Sequence, residues 1–222
     1  MFATVSAQLA DRQLSHQRTV ALIRSLEETA QGPTVSACKG LAFVQLYATY
    51  EYAVRSAVQA TLVALRAAGV EIRTLRRDLL ALVLDSHWDS ASTCGRPRVW
   101  DSRMALIAHV DSREPTSTLR DDLFPSDGSH YRLNQLRTIW KVFCIAAPVV
   151  PEPRLMGRIE ELVENRNAVS HGRRRPEEVG ARYSWQDISK RADDTDAIAC
   201  HVVSTLESHV KAGGLFTAAT GP

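Results

Sequence analysis

"LAFVQLYATYEYAVRSAVQATLVALRAAG", running from Leu41 to Gly69, decides the fold class. Phe43, Leu46, Tyr47, Tyr50, Val54, Ala57, Val58, Leu62 and Leu65 recur at steps of three and four, so one side of a long helix is apolar throughout. Gly69 marks its end. Such a stripe must be buried against another element, and no alternating strand pattern of useful length occurs anywhere in the chain. The neighbours are helical as well. Leu9, Val20, Ile23 and Leu26 predict a first helix from Val5 to about Ala30, broken by "QGP" at Gln31 to Pro33. "EIRTLRRDLLALVLD", from Glu71, sets Ile72, Leu75, Leu79, Leu82 and Val83 against its arginines and predicts a third. "YRLNQLRTIWKVFCIAA", from Tyr131, predicts another through Leu133, Leu136, Ile139, Trp140 and Phe143, ended before Pro148.

Ser86 to Val99 and Glu114 to His130 are rich in Ser, Asp, Gly and Pro and read as loops, with a brief helical signal at Met104 to His109. A last helix is predicted to start at the N-cap cluster Asp193 to Asp196 and to carry Ile198, Val202, Leu206 and Val210. The expected fold is all-α: a single domain over 1–222, a helical bundle with a loop-rich central insertion at about 86–127.

Composition narrows the function classes. At 222 residues, with 45% hydrophobic and 23% charged side chains, the chain can bury one core and is neither disordered nor fibrous. A net charge of +2 excludes a molecule-wide attraction for nucleic acid, so any basic patch is local. Cys38, Cys94, Cys144 and Cys200 form no CxxC and no zinc-ligand spacing, which predicts a reduced intracellular protein without a bound metal. The start lacks a basic stretch followed by an apolar run, and no segment approaches the roughly 18 apolar residues of a membrane span. A cytoplasmic protein without membrane contact is expected. There is no GxSxG elbow and no glycine-rich phosphate loop, so a serine hydrolase is disfavoured and no cofactor is expected. His87, His109, His130, His201 and His209 have no partner at ligand spacing and receive no role.

Chemistry concentrates in "PEPRLMGRIEELVENRNAVSHGRRR", from Pro151 to Arg175. Leu155, Ile159, Leu162, Val163 and Val169 form an apolar stripe on a helix closed by Gly172, and Arg166 falls near its middle. A buried guanidinium demands a carboxylate partner or a polar cleft. Glu164, Asn167 and His171 share a neighbouring face, whereas Arg166 and His171 project about 140° apart on an ideal helix. A second copy across a two-fold axis solves that geometry and makes a homodimeric composite site the natural arrangement. The residue types suit phosphate chemistry on RNA. Histidine exchanges protons near neutrality, arginine matches a phosphate with a planar fork, and RNA brings its own nucleophile in the 2′-hydroxyl. The expected products are a 2′,3′-cyclic phosphate and a 5′-hydroxyl, with no metal needed. Arg173, Arg174 and Arg175 offer phosphate contacts independent of base identity.

Arg166-Asn167-Ala168-Val169-Ser170-His171 resembles the Arg-polar-x3-His signature of the HEPN superfamily, and "IEELVENRNAVSHGR" is most similar to its RiboL-PSP-HEPN and MAE_28990-like branch. "FVQLYATYEYAVRSAV" is similar to the aromatic-Glu helix those proteins carry near their start. The resemblance implies an α-helical, dimeric, metal-independent endoribonuclease of a toxin–antitoxin or phage-defence system, with an antitoxin or companion defence protein as a further partner. It implies that Arg166 and His171 are catalytic, that Asn167 orients the site, and that Glu51 sits at the acidic position where it pairs with Arg166. Some HEPN toxins carry a tyrosine two residues after the histidine; Gly172-Arg173 stands there here, so silencing through that tyrosine is not expected. The alternative is a non-catalytic module for RNA or protein binding, in which Arg166 is a core ion pair and His171 a helix cap. Tyr47, Tyr50 and Tyr52 are expected to be packing and dimer-interface residues.

Overall fold

Pro33 and Gly69 frame the longest helix of the computed structural model, which describes residues 1–29, 32–118 and 131–217. Nine α-helices occur among the described residues: α1 (Phe2–Thr29), α2 (Pro33–Ala68), α3 (Leu80–Val83), α4 (Asp85–Thr93), α5 (Val99–Val110), α6 (Leu133–Val142), α7 (Met156–Ser170), α8 (Pro176–Gly180) and α9 (Trp185–Lys211). Extended pairing among those residues is confined to two isolated bridges, Glu71 with Pro115 and Leu75 with Phe216. The chain is therefore all-α. Pro33 opens α2 at the helix position that needs no N–H, and Gly69, at φ 58°, closes it in the left-handed region. Among the described residues, no helix is long and apolar enough to cross a membrane.

The chain divides into two compact units. The first comprises the described parts of 1–57, 130–136 and 148–205. Phe43, Tyr50, Leu155, Ile159 and Val163, each at most 1% exposed, form its centre, and burying one such side chain contributes about 1.5–3 kcal/mol. The Tyr50 hydroxyl donates to the Tyr131 carbonyl at 2.8 Å. Leu9, His16 and Ile23 of α1 are buried at steps of seven, so a histidine occupies a seam position that otherwise takes an apolar residue. Its ring bridges three helices: Nδ1 lies 2.8 Å from Asp196 Oδ1 of α9, and Nε2 lies 2.9 Å from Thr49 Oγ1 of α2. Each ring nitrogen is thus matched, which is what a buried imidazole requires.

Glycine decides how α2 meets α8. A Cβ on Gly40 would lie 2.1 Å from the Pro176 carbonyl oxygen, and one on Gly180 would lie 1.8 Å from that of Ser36. Two backbones touch there because neither residue has a side chain. The last helix begins at Trp185, not at Asp193 to Asp196. Ser184 accepts from the Asp187 N–H at 3.2 Å, and the Asp187 carboxylate takes the Ser184 N–H at 3.0 Å, the reciprocal pairing of a helix start. Asp194 is instead buried inside α9, where it accepts from Arg154 at 2.7 Å and forms an ion pair with Arg158 at 3.1 Å.

The second unit comprises the described parts of 58–129, 137–147 and 206–222. Ile72, Leu75, Leu79, Leu82 and Val83 are all buried as expected, but on two 3-10 turns, Ile72–Thr74 and Arg77–Leu79, followed by the short α3. The predicted continuous helix is lost because the backbone bonds outward. Ile72 N–H goes to the Glu114 carbonyl, Arg73 N–H to Ser112, and Arg76 N–H to Leu215. Non-local pairing overrides helical propensity. Ser86 to Thr93, predicted as loop, is helical as part of α4, and the helical signal at Met104 to His109 lies within α5, which packs on α4. Their rings His87 and His109 stack at 4.3 Å. The end of that expected insertion, from residue 119, lies outside the described residues, as does His130.

Candidate active site

The helix α7 carries Arg166 and delivers His171 at its end. Leu155, Ile159, Leu162, Val163 and Ala168 bury one side of the segment, and Asn165 and Asn167 are buried with them, while Val169 and Arg166 are half-buried. The guanidinium carbon of Arg166 sits 4.5 Å from the centroid of the Tyr47 ring, and its Nη1 donates to Asn167 Oδ1 at 2.9 Å. An aromatic face and an amide oxygen thus meet the charge that the helix carries towards the core. Tyr47 is consequently more than packing.

The carboxylate expected to pair with Arg166 is one step removed. Glu51, half-buried one turn along α2 from Tyr47, forms no ion pair with a described residue. Its charge acts on Tyr47. Burial first, and then Glu51, push the Tyr47 phenol up to about 12, with Arg166 pulling the other way. The phenol stays neutral and its ring stays available as a cation platform.

His171 is the C-cap residue of α7 and is exposed; its N–H donates to the Asn167 carbonyl at 3.1 Å. Asn167 therefore touches both predicted catalytic residues, Arg166 through its side chain and His171 through its backbone. Gly172 follows at φ 65°, and the Arg174 N–H folds back to the Ala168 carbonyl at 3.0 Å. Only glycine takes that left-handed turn without cost, so the sequence order Ser170-His171-Gly172 places the imidazole at a fixed exit point.

The three arginines beyond it differ. Arg173 lies 3.7 Å from Glu164, which also meets Arg132 at 3.6 Å. Arg175 pairs with Glu178 at 2.9 Å and starts α8, holding that carboxyl below its usual range. The Arg174 side chain is exposed and has no ion pair with a described residue. Exposed pairs of this kind are worth only about 0–1 kcal/mol, so a phosphate can displace the carboxylates. Glu164 is exposed and pairs with Arg173 and Arg132.

One network escaped the sequence reading. Asn165 donates to the Tyr183 hydroxyl at 2.9 Å and accepts from Arg182 at 2.8 Å, and Tyr183 donates to Glu161 at 3.0 Å. Arg158 and Arg191 also converge on Glu161. Burial alone would raise the Glu161 carboxyl, but Arg158, Arg191 and Tyr183 together hold it below its usual value. The available signal was a second asparagine on the buried stripe of α7, which must find partners to be tolerated. Among the described residues no group of three or more His, Cys, Asp or Glu side chains could hold a metal ion.

A model of the MAE_28990-like HEPN family matches residues 1–200, a span that includes α2 and all of α7. The chain belongs to that family. Comparison with curated proteins and with solved structures gives no match. In this HEPN protein the Arg-polar-x3-His residues therefore stand at the C-terminal end of a helix, with the arginine clamped on a tyrosine of the aromatic-Glu helix.

Proposed function

We propose that this HEPN protein is a metal-independent endoribonuclease whose reacting groups are Arg166 and His171, with Asn167 orienting both. The observation that carries the reading is the contrast between the two: a half-buried guanidinium fixed on Tyr47 and Asn167, and an exposed imidazole held at the helix exit. His171 takes the proton of the RNA 2′-hydroxyl, whose oxygen attacks the adjacent phosphorus while the bond to the 5′-oxygen breaks. Arg166 receives the negative charge that builds on the phosphoryl oxygens. The leaving 5′-oxygen takes a proton from the second imidazole of a homodimeric site, and the product is a 2′,3′-cyclic phosphate. Arg173 to Arg175 hold the backbone by exchanging carboxylates for phosphates. A toxin or phage-defence effector, restrained by an antitoxin or companion protein, is the role that fits such an activity.

A non-catalytic binding module is the second reading. The engagement of Arg166 with Tyr47 and Asn167 favours it, because a fork spent on internal contacts fastens α7 to α2 without chemistry. Purified wild type and His171→Ala, incubated with labelled total RNA and tRNA in excess EDTA, separate the two. Cleavage by wild type alone, leaving cyclic phosphates, supports the nuclease. Intact RNA in both lanes from folded protein supports the module.

A further inference from the structure

His209, in the last turn of α9, carries an unmatched polar atom: its Nε2 is buried and has no hydrogen-bond partner among the described residues. The chain then turns back against the ring. Gly213, at φ 69°, reverses it, and Gly214 packs on the imidazole so closely that a Cβ would fall 2.3 Å from Cε1 and 2.5 Å from Nδ1. From there residues 213–217 run as a strap along the first 3-10 turns. The Arg76 N–H donates to the Leu215 carbonyl at 3.3 Å, the Thr217 N–H donates to the Thr74 carbonyl at 3.0 Å, and Leu75 pairs with Phe216. Leu75 and Leu215 are both buried there. The charge that acts on the ring is a cation, Arg76, whose Nη1 donates to the Gly214 carbonyl at 3.4 Å. Among the described residues no carboxylate pairs with the ring. Glu207 of α9 is taken by Lys211 at 2.7 Å, Asp78 receives the Cys144 thiol at 3.6 Å where the chain leaves α6, and the strap has no titratable side chain.

We propose that residues 213–217 form an acid-sensitive strap, closed on 72–76 while the His209 ring is neutral and released when the ring takes a proton. A charged imidazole in the closed position loses water and meets a second cation, and both effects disfavour it. Burial first, with Arg76 adding to it, holds the His209 pKa below the usual histidine value, although the Phe143 and Gly214 carbonyls pull the other way. In the released strap the ring returns to water and to an ordinary value of about 6.5. The neutral ring therefore stabilises the closed strap in full above about pH 6.5, and that contribution is lost as pH falls towards the lower value of the closed form. Thr217 also lines a cavity of about 540 Å³ with Leu75, Arg77 and Val110, so release removes one of its walls. The device does not depend on the nuclease reading.

The test is amide hydrogen exchange of the full isotope-labelled chain, read by NMR from about pH 7.5 to about pH 5 and expressed relative to the unstructured rate at each pH. In wild type the protection of the Arg76 and Thr217 N–H groups should fall below about pH 6.5, by up to about tenfold per pH unit. Both should exchange at least roughly 100-fold faster than the Tyr50 N–H in buried α2, because the strap opens without the rest of the fold. His209→Gln removes the titration and should give level protection across the range. Arg76→Gln keeps the backbone bonds of the strap but removes the cation, so the total fall should be smaller than in wild type. Constant protection in wild type, or a fall of the same size in His209→Gln, overturns the proposal. If His209→Gln does not fold, Arg76→Gln decides alone, and a fall equal to that of wild type overturns it. Exchange of Arg76 and Thr217 at the Tyr50 rate means that they open only with the whole fold, and overturns it as well.

Discussion

Replacing Gly180 by alanine tests how the segment after His171 is anchored. The added Cβ would sit 1.8 Å from the Ser36 carbonyl oxygen and 2.6 Å from the Gly40 nitrogen. Both are backbone atoms, so no rotamer change relieves the clash. Reaching the 3.4 Å of ordinary contact moves α8 off α2 by about 1.6 Å. Overpacking of this kind costs about 1–3 kcal/mol, and rigid partners on both sides put the figure near the top. Alanine recovers roughly 0.5–1 kcal/mol of the entropy that glycine loses in a helix, which leaves about 2 kcal/mol. For a chain of this size that lowers the thermal midpoint by roughly 4–8 °C. Gly157→Ala in α7 is the control: nothing lies within 4 Å of its Cβ, and the same entropy term should raise the midpoint by a degree or more. Adding Gly40→Ala to Gly180→Ala should cost much less than the sum of the two singles, because helices already parted accommodate the second methyl. Melting curves followed by circular dichroism decide the matter. A midpoint for Gly180→Ala within about 1 °C of wild type, or strict additivity with Gly40→Ala, would refute the backbone-contact account.

Three further outcomes are expected. His171→Ala should lower RNA cleavage by roughly 10²–10⁴-fold with an unchanged melting curve, since the ring is exposed; loss of fold instead would make it a structural cap. Tyr47→Phe keeps the ring beneath Arg166 and should retain turnover, whereas Tyr47→Leu removes the platform and should lower kcat about tenfold, roughly the worth of a half-desolvated cation–ring contact. If Phe fails as badly as Leu, the phenol and not the ring face is what matters. The depressed Glu161 carboxyl stabilises the fold once pH exceeds its unfolded value of about 4.3, and that contribution is lost as pH falls through its lower folded value. Denaturation midpoints measured from pH 6 to pH 3, approximately, should fall less steeply in Glu161→Gln, and parallel curves would remove Glu161 from the acid response.

Helical periodicity is a local property, and it was legible wherever one face of a helix stays apolar. The stripe from Phe43 to Leu65, the end at Gly69, the burial of Ile72 to Val83 and the Arg166-to-His171 signature all follow from residues a few positions apart. Two of the misread elements share one reason. The 3-10 turns of 72–79 bond to Glu114, Ser112 and Leu215, and the start of α9 rests on Ser184 and Asp187 while Asp194 is claimed by Arg154 and Arg158. The amphipathic pattern records which side chains are buried. It does not record what their polar groups meet.

By itself, the sequence determined an all-α chain, its helix-ending glycines and the placing of a histidine five residues after an arginine near a helix end. Tertiary structure alone decided that Arg166 rests on Tyr47 while Glu51 acts through that ring, that His16 bridges Thr49 and Asp196 across 180 residues of chain, and that Gly40 meets Gly180 backbone to backbone. The physical reason is that a buried polar or charged group must be satisfied by whatever the fold brings within about 3 Å, and chain spacing carries no trace of that partner.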